Sequence, residues 1–216
     1  MKTGFTAESG PPRCAWLSEE GRAELARRLS GRVDSRRFRH VRGVVKTARA
    51  LAARYGADAD KAELAALFHD WFRGADAGET ARLAEEWGID PGIAGNPSLL
   101  HGRLAAELMA REYGIEDEDV LNAVRYHTTG RAGMSKLEML VYVADATEPG
   151  RYIPRAVRLR ELAARDLAEA CAEALEGAIS FVEKKRETVD RNSVEALEWL
   201  RGTRAGAAPG GRCGAD

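Results

Sequence analysis

The sequence predicts an all-α fold of about nine helices. Three observations carry this. Apolar residues recur at intervals of three and four, as at Val41, Val44, Val45, Ala48, Leu51, Ala52 and Tyr55, the signature of one helix face. Strand-like alternation is almost absent. Helix start and stop residues fall where the periodic segments begin and end. Taken in order, the first helix is expected over about 16–29 and the second over 35–55, opened by Asp34 or Ser35 and closed by Gly56. The third, 59–72, carries the apolar run Leu64 to Phe68 into His69-Asp70. A fourth over 78–87 ends at Gly88, and a fifth over 98–113 is capped by Ser98 and closed by Gly114. The sixth, 117–127, precedes Gly130. The seventh, 135–147, opens on the capping box Ser135-Lys-Leu-Glu138. The eighth, 154–186, is broken near Arg165, and the ninth covers 193–201. Residues 1–15, with Gly10-Pro11-Pro12, and 202–216, rich in Gly and Ala, read as disordered tails around one domain of 16–201. No internal repeat of fixed period is visible, which argues against a solenoid.

Composition narrows the function classes. The 216 residues carry 33 Lys plus Arg against 34 Asp plus Glu, so the chain is not built to coat nucleic acid or an anionic membrane. Cys14, Cys171 and Cys213 show no metal or disulfide spacing and read as reduced thiols. There is neither an apolar run of about 18 residues nor a secretion signal, so the expected location is the cytoplasm.

The chemistry centres on six residues. The four histidines are His40, His69, His101 and His127; His40 lies within an amphipathic helix, His69 follows an apolar run, and the other two lie at helix ends. Asp70 and Asp145 interrupt apolar segments, where a carboxylate is costly to bury unless a cation or donor meets it. A lone histidine on an apolar helix is more often a hydrogen-bonded core residue than a ligand. Six such residues need six separate structural reasons, whereas one metal site accounts for all. Imidazole nitrogens with carboxylate oxygens, and no thiolates, suit iron, manganese, cobalt, nickel or zinc. Neighbouring side chains on a helix point about 100° apart, so Asp70 is better placed to bridge two ions than to chelate one ion together with His69. His40, His69, Asp70 and Asp145 make a first site, and His101 and His127 are then surplus ligands for a second ion about 3.5–4 Å away.

The order His40, His69-Asp70, Asp145 resembles the H…HD…D signature of the HD-domain metal-dependent phosphohydrolases. The flanking text, Leu99-Leu-His101-Gly102, Arg125-Tyr-His127-Thr128-Thr129-Gly130-Arg131 and Asp145-Ala-Thr-Glu148-Pro149-Gly-Arg151, is similar to the bacterial YqeK-type branch over about residues 20–200. The resemblance implies an all-helical HD-domain bundle, all six residues as metal ligands, a dinuclear site filled by iron, and conversion of diadenosine tetraphosphate to two ADP. The family's pattern places a lysine shortly after HD, whereas here Trp71-Phe72-Arg73 follows, which keeps the charge but alters phosphate geometry.

A phosphoanhydride needs its charge neutralised, a nucleophile generated and its leaving oxygen stabilised, and a hydroxide held between two metals, attacking in line, can meet all three needs. Phosphates beyond the metals' reach require cationic donors, for which Arg73, Arg103, Arg131, Lys136 and Arg151 are expected. Arg131 and Arg151, in the matched motifs, join Asp70 as expected catalytic residues. Thr128 and Thr129 are expected phosphate contacts, with local backbone bonding the alternative. Glu148, one turn beyond Asp145, is expected to orient a ligand histidine or an arginine. Trp71, Phe72, Tyr126 and Tyr152 read as core aromatics, with base stacking the alternative. The expected partner is a nucleotide polyphosphate, not nucleic acid or membrane, and monomer and homodimer are equally allowed. The competing readings are a mononuclear nucleotidase, an alarmone hydrolase, or a non-catalytic nucleotide-sensing module.

Overall fold

The computed structural model describes residues 16–206, and every regular element among them is helical. There are eleven helices: α1 (Glu19–Arg32), α2 (Ser35–Tyr55), α3 (Ala59–Phe68), α4 (Ala77–Glu86), α5 (Pro91–Ala94), α6 (Pro97–Arg111), α7 (Glu118–Arg125), α8 (Lys136–Thr147), α9 (Pro154–Ala163), α10 (Leu167–Lys184) and α11 (Arg191–Gly206). The expected tails, 1–15 and the part of 202–216 beyond Gly206, lie outside the described residues; α11 runs past the expected end at 201.

Two elements account for the difference from nine. The break near Arg165 is complete: Asp166 caps a new helix by accepting from the Glu169 amide at 2.9 Å, so α9 and α10 are separate. The four-residue α5 is set by Asp90, which accepts from the Gly92 and Ile93 amides, with Pro91 at the first position. It is too short to show periodicity. The structure also corrects a cap: α6 starts on Asn96, whose side chain accepts from the Ser98 amide at 3.0 Å, rather than on Ser98. Asp34 caps α2, Gly56 closes it in the left-handed region, and the Ser135–Glu138 capping box is formed.

The centre of the bundle is α2 packed on α3 and α8, with α7 against α3, α6 and α8. Helices α9 and α10 cover α8, and α1 covers α3. Phe68, Trp71 and Tyr113 form an aromatic knot at the end of α3, with Phe68 4.8 Å from Trp71 and 4.9 Å from Tyr113. Trp71 and Phe72 are buried there as core. No described helix is long and apolar enough to cross a membrane.

Candidate metal centre

The first surprise is where α3 stops. It ends at Phe68, four residues short of expectation, and the chain tightens into turns in which the Trp71 amide bonds to Phe68 O and the Arg73 amide to Asp70 O. His69, at the helix end, keeps helical torsions and bonds to Ala65 O, and the tight turns begin just after it. Arg32 fastens this turn by donating from Nε to Trp71 O at 3.1 Å. His40 projects from α2, His101 sits one turn into α6, His127 lies two residues past α7, and Asp145 is in the last turn of α8.

These elements bring all six residues together. The ligand atoms of His40, His69 and Asp145 lie within 4.8 Å of one another, as do those of Asp70, His101 and His127. Asp70 joins the two sets: its Oδ2 is 3.4 Å from His69 Nε2 and 3.6 Å from His40 Nε2, and its Oδ1 is 3.4 Å from His101 Nε2. His40 Nε2 is 3.0 Å from Asp145 Oδ1.

Every histidine is oriented by its other nitrogen. Nδ1 of His69 donates to Ala66 O and that of His127 to Val124 O, both at 2.7 Å. His101 Nδ1 is 3.2 Å from Pro97 O, and His40 Nδ1 is 3.2 Å from Glu148 Oε1. A proton on each Nδ1 leaves Nε2 as a lone pair aimed inward. The result is an arrangement that repels itself without a cation: the Nε2 atoms of His101 and His127 face each other at 3.0 Å, and those of His40 and His69 are buried without a hydrogen bond. A metal fits this donor set, since a divalent cation converts each of these contacts into attraction.

Electrostatics agree. Burial alone would raise the Asp70 carboxyl, but His69, His101 and His127 outweigh it and hold it well below the usual carboxylate range. Asp145 is likewise lowered against the effect of its burial, by the neighbouring His40 and the charges of His69 and Arg151. Burial, helped by His101 and His69, pulls His127 down to about 3, leaving the neutral, ligating form near neutral pH. His69 is raised, because Asp70 overrides its burial, so proton and cation compete for that nitrogen.

An inner cavity of about 260 Å³ opens onto the centre. Of the expected substrate residues, Arg73, Thr128, Thr129 and Arg151 line it. Arg73 comes within 3.4 Å of His101 Nδ1, and Arg151 Nη2 bonds Asp145 Oδ1 at 2.7 Å. The Thr129 hydroxyl is spent on Gly130 O at 2.9 Å. Arg103, Arg131 and Lys136 are not among the residues lining this cavity. Arg103 lies 4.2 Å over the Tyr126 ring, and Lys136 donates to Tyr55 O at 2.8 Å. The fork of Arg131 closes on buried Glu138 through two bonds of 2.6 and 2.8 Å. Sequence reasoning missed Arg37, whose Nη1 is 2.5 Å from Asp70 Oδ2, and the cavity residues Phe181 and Lys185. The signal for Arg37 was its position three residues before His40, on the same helix face.

Comparison with known proteins agrees with this geometry. The HD-domain family model matches residues 37–150. A Bacillus subtilis protein named symmetrical bis(5'-nucleosyl)-tetraphosphatase is 37% identical over 83% of this chain and 97% of its own length. A Halalkalibacterium halodurans protein of the same name is 43% identical over 71% of this chain and 82% of its own length. A crystal structure from Clostridium acetobutylicum, described as a predicted HD superfamily hydrolase involved in NAD metabolism, superposes with a TM-score of 0.79 at 34% identity, covering 84% of this chain and 97% of that one. The family match spans the metal centre from Arg37 through Glu148, and with relatives of this identity and coverage the chain belongs to the HD-domain family, in the branch that includes those tetraphosphatases.

Proposed function

We propose that the protein is a metal-dependent hydrolase that cleaves diadenosine tetraphosphate symmetrically into two ADP, using two divalent ions. Iron is the preferred ion, with manganese, cobalt or nickel able to substitute. The observation that carries the reading is Asp70, whose two oxygens turn toward two separate histidine sets. The imidazole and carboxylate donors, without thiolate, support an ion of the iron-to-nickel group.

Ions bound between the two sets would supply Lewis acidity and an activated water. The chain's residues do the rest. His40, His69 and Asp145 hold one side, His101 and His127 the other, and Asp70 spans them. Arg37 and Arg151, already beside the ligand carboxylates, are placed to meet phosphate oxygens as charge shifts onto them, and Arg73 reaches the same cavity. Attack of water on phosphorus at the central P–O–P bridge forms a new P–O bond to the water oxygen and breaks one bridging P–O bond, so that one ADP leaves and the second remains, with two protons passing to solvent as both new terminal phosphates ionise. Arg103, Arg131 and Lys136 have no part in this account.

The test is product analysis. Metal-loaded protein is incubated with diadenosine tetraphosphate and the nucleotides are separated by chromatography. ADP as the sole product, with His69→Ala inactive, supports the reading; ATP plus AMP, or no turnover, overturns it.

A further inference from the structure

The least explained feature outside the metal centre is a basic stripe on α2. Arg36, Arg39, Arg42 and Lys46 run along one exposed side of the helix. Like charges one turn apart repel each other, and cations near a helix start oppose its dipole. The capping Asp34 offsets Arg36 and Arg37 at the helix start, and the first turn itself holds no acidic residue to face Arg39, Arg42 and Lys46. Among the described residues, Arg39, Arg42 and Lys46 have no hydrogen bond or ion pair. Arg39, Arg42 and Lys46 thus present exposed, unpaired positive charge on one helix face, a surface suited to an anion.

The stripe lines a groove of about 940 Å³. Its acidic lining residue, Glu148, is turned inward onto His40 and the Gly150 amide. Arg37 and Arg151 line both this groove and the inner cavity, so the two spaces share a wall at the metal centre. The inner cavity is smaller than the roughly 300–1,000 Å³ of a typical small-ligand pocket and is short of room for a whole dinucleoside tetraphosphate. Central cleavage requires a nucleoside diphosphate on each side of the broken bond. From Arg39 to Lys46 the positive charge extends about 10 Å along the helix, in keeping with a diphosphate leading to a ribose. Where the groove meets Arg151, Tyr152 presents a ring that is 88% exposed, a stacking face for a base. The inner cavity has its own exposed ring, Phe181, with Lys185 Nζ 4.7 Å over it.

We infer that the α2 groove is the site for one nucleoside diphosphate half of the substrate, with Arg39, Arg42 and Lys46 meeting its phosphates and Tyr152 its base, while the inner cavity takes the other half. This rests on the tetraphosphatase reading above and assigns the residues that select a substrate with two nucleoside ends.

The experiment is equilibrium binding of a diadenosine tetraphosphate analogue with a methylene in place of the central bridging oxygen, using the metal-loaded full chain. Arg39→Gln/Arg42→Gln is expected to raise Kd about ten-fold, and Arg39→Lys/Arg42→Lys to restore most of the loss. Tyr152→Ala, at a fully presented side chain, is expected to raise Kd about five-fold and serves as an independent check should the double variant fold poorly. Metal content should match the wild type throughout. Kd values within about two-fold of wild type for both the Gln pair and Tyr152→Ala overturn the groove assignment. Turnover measured on the same preparations separates the two ideas: wild type that binds the analogue through these residues but does not cleave the natural substrate removes the hydrolase reading alone. Wild type that cleaves it, with unaffected variants, removes the groove alone, and wild type that does neither removes both.

Discussion

Arg37 Nη1 lies 2.5 Å from Asp70 Oδ2, the oxygen that also faces His40 and His69. This guanidinium holds the Asp70 carboxylate from outside while lining both spaces that meet at the histidine cluster. Under the proposed reaction, Arg37→Gln removes a cation from the site where phosphate charge develops without removing a proposed metal ligand. Its kcat/KM for diadenosine tetraphosphate should fall about 100-fold. Metal per chain, read by elemental analysis, should stay the same; loss of metal would make Arg37 a structural support instead.

Glu148 is buried and accepts from His40 Nδ1, and Gly43 provides the space for it. A Cβ at Gly43 would collide with Glu148 Oε2 and come 3.3 Å from its Cδ. Gly→Ala inside a helix ordinarily stabilises by about 1 kcal/mol. Here Gly43→Ala should instead push Glu148 off His40 and weaken metal binding about ten-fold, and Glu148→Ala should weaken it about 10–100-fold. Chelator competition measures both, and unchanged affinity in both would sink the positioning role of Glu148.

Arg131 was expected at the substrate, yet its fork is closed on Glu138, which also anchors the capping box of α8. Arg131→Ala leaves a buried carboxylate without its counterion. It should lower unfolding free energy by about 2 kcal/mol in denaturant titration, with KM within about two-fold of wild type. A large rise in KM with unchanged stability would restore the substrate role.

Cys171 is buried in the α10 interface, 4.0 Å from the Met134 sulfur. Burial, helped by the charge of Glu138, raises its thiol well above the ordinary range of a cysteine. The unfolded chain releases this proton from about pH 9 upward and the folded chain does not, so the associated stability is lost as pH rises past 9. With Cys14 and Cys213 replaced by serine, native protein at pH 8.5 should resist iodoacetamide and react only once unfolded. Rapid native labelling would contradict the burial.

The six clustered side chains were legible because each interrupts an apolar stretch or ends one, a cost that needs a cause. The arginines were not, since sequence proximity to a ligand says little about direction. Arg103 follows His101 by two residues and so faces away from it on α6, whereas Arg37 precedes His40 by three and shares its face. The end of α3 was hidden because no glycine or proline marks it before Gly74; the stop comes from packing of Phe68 and Trp71 and from the donor of Arg32. The split at Asp166 was visible as a break and became two helices because Asp166 is itself a cap.

Arg160 of α9 donates to the carbonyl oxygens of Thr147, Glu148 and Arg151, at 2.7, 2.8 and 2.8 Å. It thereby fixes the loop that carries both the partner of His40 and the arginine beside Asp145. The family match ends at residue 150, ten residues before this donor. The bounds of the family match and of the folding unit are thus different things in this chain. A fragment trimmed to 37–150 would keep every proposed ligand and lose the clamp on the wall behind them, so excised pieces are poor surrogates for the full chain in metal-binding work.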